Sequence, residues 1–269
     1  MKRILIFTLL LTVTLALASC ATSGSETQPT ATSSSAAATT TTPPQFLSVS
    51  VISIKPEMVT EWEAFLKAES LPAYQKAGVK QRDVWKTATF GDVFEYVVVT
   101  PIENFAQYDG TALLVKALGE EGARAYRAKA ARFIANYRIF SLQMRPDLSL
   151  ESKSNETPKL AVVSTVSTAP GRAPEFESLL KTDFLPVIKK AELKGYMVSQ
   201  TTYGGDPYEY TAVALYDTFA EIGKGSPYVK VLGQEGAGKL LQKATGIVTH
   251  VERKVYRYVP ELSLQLPKA

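Results

Sequence analysis

Two glutamate–tyrosine pairs stand at matching places in the sequence and are the first candidates for chemistry. Glu95 and Tyr96 follow one Gly–Asp turn, and Glu209 and Tyr210 follow another. Adjacent side chains on a strand point to opposite faces, so the two members of a pair cannot line the same cavity. We expect the tyrosines in the core and the glutamates at a rim or in structural hydrogen bonds. In the alternative, one member of each pair faces a pocket, where a desolvated glutamate would have a raised pKa and could act as a base.

Aromatic residues near these pairs are further pocket candidates, namely Trp85, Tyr203 and Tyr208. The chain has a single histidine, His250, and a single cysteine, Cys20. One histidine cannot form a zinc site, and no partners for serine–histidine catalysis can be identified. We therefore predict no metal site and no cofactor, and we leave the catalytic residues unassigned.

Phosphate and nucleic-acid binding are not expected. Gly233, Gly238 and Lys239 have the spacing of a phosphate-binding loop, but Leu240 stands where that loop needs a serine or threonine for magnesium. The formal charge is only +4, and the basic residues are spread among a similar number of acids. This distribution is typical of a solvated mixed-charge surface and not of a nucleic-acid-binding face.

The first twenty residues have the pattern of an export signal. A basic start is followed by an apolar run over residues 4–18, which is short for a membrane span. Residues 17–20 are Leu–Ala–Ser–Cys, which resembles the bacterial lipobox, in which the cysteine is diacylated and becomes the first mature residue. We predict a lipoprotein signal peptide over residues 1–20 and acylation of Cys20. An ordinary signal with an incidental cysteine is the alternative.

Residues 21–45 are almost wholly Ala, Thr, Ser, Pro and Gly. This composition cannot bury enough apolar surface to fold, so the segment is predicted to be a disordered tether with a root-mean-square reach of about 25 to 30 Å. Acyl chains on Cys20 would hold the protein to a lipid bilayer, since each buried methylene adds about 0.8 kcal/mol. We predict an exported protein anchored to a bacterial membrane on its periplasmic or cell-surface side.

The rest of the sequence contains one segment twice. Residues 46–150 align with residues 160–264 at a constant offset of 114, without a gap, and about a third of the aligned positions are identical. Leu71 and Pro72, for example, recur as Leu185 and Pro186. A repeat at a fixed offset indicates two copies of one structural unit. The predicted parts are module 1 (46–150), a linker (151–158), module 2 (159–264) and a tail (265–269).

Each module has the same succession of elements. Short apolar, β-branched stretches predict strands, apolar residues at helical spacing predict helices, and the Gly–Asp turn predicts a hairpin. The elements predicted for module 1 are a strand (46–54), a helix (57–77), a hairpin (79–90 and 93–100), a short helix near Phe105, a helix (120 to about 135) and a last strand (137–144). This βαββαβ order is the ferredoxin-like plan.

The second hairpin strand of module 1 carries apolar side chains on both of its faces. Phe94, Tyr96 and Val98 lie on one face, and Val97 and Val99 lie on the other. Both faces of the sheet must then be covered. Helices cover one face, and we expect the sheet of the other module to cover the second. The predicted fold is α+β, with two tandem ferredoxin-like modules packed sheet to sheet as an intramolecular pseudo-dimeric barrel.

In this organisation the sequence resembles the dimeric α+β barrel superfamily, and within it the NIPSNAP-like and antibiotic-biosynthesis-monooxygenase-like families. The resemblance covers both modules, through the element order and the early helix with Trp62 or Phe176 that precedes Leu–Pro. Together with the aromatic strands, it implies a monomer with an internal pseudo-twofold that binds a small apolar or aromatic ligand between sheet and helices.

Two other functions stay open, a cofactor-independent oxygenase or isomerase and a structural protein without a pocket. Some relatives in the superfamily bind haem through one histidine, so haem ligation by His250 is a further alternative. We expect an ordinary surface or strand-edge position for His250.

Cys20→Ala should release the protein from the membrane fraction, because the predicted acylation site is lost. Metabolic labelling with a palmitate analogue should disappear at the same time. Ser19→Ala is the control, since it keeps a small residue before the cysteine and should keep the label. Labelling that survives Cys20→Ala would contradict the predicted anchor.

Overall fold

The computed structural model describes residues 46–150 and 157–265. The predicted signal peptide with Cys20 and the predicted tether lie outside the described residues, as do most of the predicted linker and tail. Among the helices of the described ranges, none is both long enough and apolar enough to cross a membrane.

The first described range folds in the order predicted for module 1. Its elements are β1 (Phe46–Ile54), α1 (Val59–Phe65), α2 (Leu71–Lys76), β2 (Gln81–Thr87), β3 (Glu95–Ile102), α3 (Leu113–Phe133) and β4 (Ile134–Met144). Helix α3 begins before the predicted start at Glu120, because a short helical segment precedes Gly119. Gly119 interrupts the helix with a φ of 73°, a conformation that glycine adopts without the steric cost of a Cβ atom.

The second described range repeats this order with small differences. Its elements are β5 (Leu160–Thr168), α4 (Ala173–Leu179), α5 (Leu185–Lys190), β6 (Tyr196–Tyr203), β7 (Glu209–Tyr216), α6 (Phe219–Gly223), α7 (Pro227–Gln242), β8 (Val248–Tyr258) and β9 (Leu264–Gln265). Helix α6 stands where the first range has a 3-10 turn at Phe105–Tyr108. Thr218 and Glu221 form a capping box at its start, in which each side chain accepts from the other residue's backbone N–H.

The recurring Leu–Pro pair has a structural reason. A π-helical turn at Leu66–Ser70 joins α1 to α2, and another at Leu180–Phe184 joins α4 to α5. Pro72 and Pro186 are the second residues of α2 and α5. A proline has no N–H to donate, and its ring would clash with the carbonyl four residues earlier, so the wider turn accommodates it.

Eight strands close into one barrel. Around the barrel the order is β3, β1, β4, β6, β7, β5, β8 and β2, and β2 pairs with β3 to complete the ring. The two described ranges meet at two antiparallel seams, β4 with β6 and β2 with β8. The chain is therefore a mixed α+β barrel, as expected, but it closes by pairing of edge strands. Two separate sheets packed face to face would have left those edge N–H and C=O groups unpaired.

Strand residues alternate between the inside of the barrel and the helix-covered outside. On β3, Tyr96 and Val98 pack under the helices, whereas Val97 and Val99 face the inside. The outward residues form two buried clusters, one around Trp62 and one around Phe176. Each is completed by residues of the other range, Val259 and Leu262 in the first cluster and Leu148 in the second. Both faces of the apolar strands are thus covered, one by helices and one by barrel closure.

Gly204→Ala is expected to weaken the seam between β4 and β6. A Cβ atom on Gly204 would lie 2.6 Å from the carbonyl oxygen of Ile139, and the φ of 80° is unfavourable for alanine. Gly171 has a φ of 78° but no neighbouring atom within 4 Å of its Cβ position, so Gly171→Ala measures the conformational cost alone.

In urea unfolding, Gly171→Ala should cost about 1 to 2 kcal/mol, and Gly204→Ala about 1 to 3 kcal/mol more. Equal losses of unfolding free energy in the two variants would contradict the close approach of Gly204, in the turn after β6, to β4.

Candidate functional site

Cavities with different linings lie on the two faces of the barrel wall in the described residues. One, the helix-side cavity, lies between the sheet and the helices of the second described range, and the other, the lumen, lies inside the barrel. Glu95 and Glu209 face the lumen, whereas Tyr96 and Tyr210 pack under the helices. Strand alternation therefore divides each glutamate–tyrosine pair between two environments, as the sequence predicts.

Each of these tyrosines donates a hydrogen bond to a glutamate on the first helix of its own half. The distance from hydroxyl to Oε1 is 2.7 Å both for Tyr96 with Glu63 and for Tyr210 with Glu177. The pKa of both tyrosines is raised well above its ordinary value, mainly by burial and to a lesser extent by the neighbouring carboxylate. The two hydroxyls are therefore neutral donors at physiological pH and are not bases.

A basic side chain also contacts each of these two glutamates. Lys86 Nζ lies 2.9 Å from Glu63 Oε1, and Arg145 Nη2 lies 2.8 Å from Glu177 Oε2. The Arg145 guanidinium lowers the pKa of Glu177 and holds the pKa of Asp147 at about 2. Arg145 follows β4, so its bond to Glu177 also ties the first described range to the second.

The helix-side cavity has a volume of about 500 Å³ and a mostly apolar wall. Its aromatic residues are Phe176, Phe184, Tyr196, Tyr210, Tyr216 and Tyr228. They come from α4, the π-turn after it, β6, β7 and the start of α7. A cavity of this size, with aromatic walls and a few polar groups, is typical of a small-molecule site.

Three interacting side chains in this wall, which we call the polar corner, are Tyr196, Tyr228 and Arg253. The two tyrosines influence each other's ionisation, and both lie in the field of Arg253. Burial raises the pKa of Tyr196 well above its ordinary value and that of Tyr228 to about 12, although Tyr196 and Arg253 both act to lower the pKa of Tyr228. Neutral hydroxyls beside a guanidinium favour an oxygen atom that accepts hydrogen bonds and carries negative charge.

The first described range has different residues at the corresponding positions. Arg82, Leu114 and Ile139 occupy the positions of the polar corner at the offset of 114. Trp62 replaces Phe176, and its ring centroid lies 6.1 Å from that of Phe133 within a cluster of packed aromatic rings. The polar corner is thus a property of the second half of the barrel.

The lumen has a volume of about 590 Å³ and combines apolar and charged residues. Glu95 is only 5% exposed and accepts hydrogen bonds from the Tyr256 hydroxyl at 2.6 Å and from Lys254 Nζ at 3.4 Å. Burial, followed by Glu95, raises the pKa of Tyr256. Trp85 and Glu209 also line this space, so the lumen brings together three of the residues predicted to line a pocket.

Tyr203, Tyr208 and His250 do not contribute to the lining of either cavity. All three are exposed, Tyr203 at the end of β6, Tyr208 in the turn before β7 and His250 near the start of β8. The only histidine is therefore not placed to ligate a haem iron in either cavity. Across the described ranges, no group of three His, Cys, Asp or Glu side chains converges as a metal site.

The polar corner and the glutamates that hold the two core tyrosines were not among the predicted site residues. Glu63 and Glu177 recur at the offset of 114, and this recurrence was a usable signal. Tyr228 and Arg253 have no polar counterpart in the first half, so only their divergence within an otherwise repeated scaffold marks them.

Comparison with known proteins identifies the fold. No family model matches the sequence, and no curated protein matches it significantly. The chain has the α+β barrel fold of several solved structures. It is similar to an anthrone oxidase-like protein, with a TM-score of 0.56 and 10% identity, over 80% of this chain and 91% of that chain.

Two further similarities point to the same fold. A putative monooxygenase from Fusobacterium nucleatum gives a TM-score of 0.55 and 11% identity, over 80% of this chain and 92% of that chain. A mutant chlorite dismutase from Candidatus Nitrospira defluvii gives a TM-score of 0.53 and 8% identity, over 81% of this chain and 92% of that chain. At such identities the likeness concerns the fold alone.

Tyr96→Phe and Tyr210→Phe should destabilise the protein by similar amounts, about 1 to 3 kcal/mol each, because each removes one hydrogen bond to a partly buried carboxylate at the same distance. Denaturant unfolding of the two variants measures this directly. A cost confined to one of them would show that the two contacts are not equivalent in the folded protein.

Proposed function

We propose that the protein binds a small aromatic molecule bearing a carbonyl or phenolic oxygen in the helix-side cavity. The observation that carries this proposal is the polar corner of Tyr196, Tyr228 and Arg253 in a wall that is otherwise mostly apolar. The rings of the ligand would pack against Phe176 and Tyr210, and its oxygen would face the polar corner. Apolar burial would supply most of the affinity, and the polar contacts would set the orientation.

The protonation states of the polar corner decide which ligand fits. With a pKa of about 12, Tyr228 keeps its proton at neutral pH and can donate it in a hydrogen bond. Arg253 is positively charged at every physiological pH. Both groups favour an acceptor oxygen, above all a phenolate or an enolate, and the guanidinium disfavours a cationic ligand.

Oxidation of the bound molecule by molecular oxygen is the second candidate function. The fold similarity to an anthrone oxidase-like protein and to a putative monooxygenase supports it. The polar corner would stabilise the enolate that forms when an anthrone-type ketone loses a proton. With anthrone as substrate, oxygen uptake and anthraquinone formation that both fall in Arg253→Gln would support turnover. Binding without oxygen uptake would leave the protein a carrier.

We also propose that the barrel is an internal pseudo-dimer of two ferredoxin-like modules that arose by duplication. The constant offset, the matching π-turns and the matching tyrosine–glutamate contacts support this origin. Because neighbouring strands alternate in direction around the barrel, β1 to β4 and β5 to β8 would be related by a twofold along the barrel axis. We propose in addition that Cys20 is acylated. The acyl chains would anchor the exported protein to a bacterial membrane on its periplasmic or cell-surface side.

Tyr228→Phe and Arg253→Gln should each weaken binding of 2-naphthol by about 1 to 3 kcal/mol, or roughly 5- to 150-fold in Kd. Binding of naphthalene, which has no oxygen, should change little in the same variants. Equilibrium dialysis of both probes gives the comparison.

Tyr126→Phe is the matched control for the tyrosine variant. Tyr126 lies in the first described range, burial raises its pKa to about 12, and its hydroxyl donates to Ser70 at 2.8 Å. Its removal should leave 2-naphthol binding unchanged. The proposal fails if Tyr228→Phe and Arg253→Gln weaken both probes equally, or neither of them.

A further inference from the structure

The lumen offers a second binding site whose chemistry differs from that of the helix-side cavity. The two linings share no residue. An eight-stranded barrel has an interior just wide enough for side chains to fill it or for one small ligand. Short side chains such as Val49, Val97, Ala161 and Val163 face inward here, and a space of about 590 Å³ remains between them.

Carboxylates outnumber cations on the lumen wall. The acids are Asp83, Glu95, Glu209 and Glu252, and the cations are Arg138 and Lys254. Lys254 is fully engaged, since its Nζ lies 2.6 Å from Asp92 and 3.4 Å from Glu95. Arg138 has its guanidinium 5.1 Å from the Phe140 ring centroid and makes no ion pair within the described ranges.

Two of the lumen carboxylates, Asp83 and Glu209, have no cation partner in the part of the chain that the structure describes. The groups that donate to Asp83 are all neutral, namely Gln81 at 2.7 Å, Gln265 at 3.0 Å and Tyr258 at 3.3 Å. Glu209 is contacted by the Thr201 hydroxyl at 3.5 Å, the outer limit of a hydrogen bond. Uncompensated negative charge in a partly enclosed, apolar-walled space attracts a cation more strongly than it would in water.

Trp85 places an aromatic ring on the same side of β2 as Asp83. The two residues are separated by one position on the strand, so their side chains share a face, and both line the lumen. The Trp85 ring is held 5.0 Å from the Tyr258 ring, centroid to centroid. An aromatic ring together with a carboxylate is a combination suited to ammonium ions. The second half has Met197 and Ser199 at the corresponding positions and does not repeat the pair.

We propose that the lumen binds a small organic ammonium ion with an apolar body, recognised by Asp83 and Trp85. The apolar body packs against the inward-facing valines, and the ammonium group supplies the positive charge that Asp83 lacks. This site is independent of the helix-side cavity, where Arg253 repels the same ligand.

Benzyltrimethylammonium and its uncharged isostere neopentylbenzene test this proposal on the unmodified protein. They have nearly the same shape, so a difference in their affinity measures the response to charge. In equilibrium dialysis with the helix-side cavity filled by saturating 2-naphthol, we expect the ammonium compound to bind at least tenfold more tightly. Equal affinities would overturn the proposal without the need for any variant.

Substitutions then locate the site. Asp83→Asn and Trp85→Ser, the latter introducing the residue of the second half, should each lower the ammonium affinity about fivefold or more. Glu103→Gln is the control, because it removes an acid on the protein surface, where its side chain is 74% exposed. Near-ultraviolet circular dichroism checks that each variant is folded.

The outcomes separate this proposal from the proposed function. Asp83→Asn should keep its affinity for 2-naphthol, so the two cavities succeed or fail independently. If Arg253→Gln changes the ammonium affinity while Asp83→Asn and Trp85→Ser do not, the cation binds in the helix-side cavity and the lumen site is refuted.

Discussion

The backbone pairing of β4 with β6 and of β2 with β8 is the constraint on which the rest of the structure depends. A strand at the edge of an open sheet presents unpaired N–H and C=O groups, and each half alone would have two such edges. Pairing satisfies these groups and at the same time gives every strand an inside and an outside face. The lumen is a consequence of this closure, whereas the helix-side cavity lies on the outer face of the barrel and is lined by the second range alone. Side chains reinforce it, since Arg145 reaches Glu177, and Lys254 and Tyr256 reach Glu95, from the other half.

The two halves share their scaffold and differ in the cavities that the scaffold creates. The features that recur are those that shape the backbone or fasten helix to sheet, such as Pro72 with Pro186 and the tyrosine–glutamate contacts. The polar corner occurs in the second half alone, and Asp83 and Trp85, which share one face of β2, occur in the first half alone. The shared scaffold would then hold the two proposed sites, one suited to an acceptor oxygen and one, in the lumen that both halves line, suited to a cation.

Much of the fold could be predicted from local patterns. The offset of 114, the β-branched runs and the Gly–Asp turns gave the element order, and the apolar alternation on both faces of β3 indicated that both were covered. The seams could not be predicted, because the edges of β4 and β8 carry no signal that distinguishes pairing with β6 and β2 from face-to-face packing. The polar corner was also missed, because Tyr228 and Arg253 are far apart in sequence and meet only across the helix–sheet interface.

A crystal structure of the protein with 2-naphthol tests most directly whether the helix-side cavity binds an aromatic, oxygen-bearing ligand. We expect the naphthyl rings to lie against Phe176 and Tyr210, with the ligand oxygen within about 2.7 to 3.2 Å of the Tyr228 hydroxyl or the Arg253 guanidinium. Density for 2-naphthol in the lumen, or an empty helix-side cavity in crystals saturated with the compound, would contradict it.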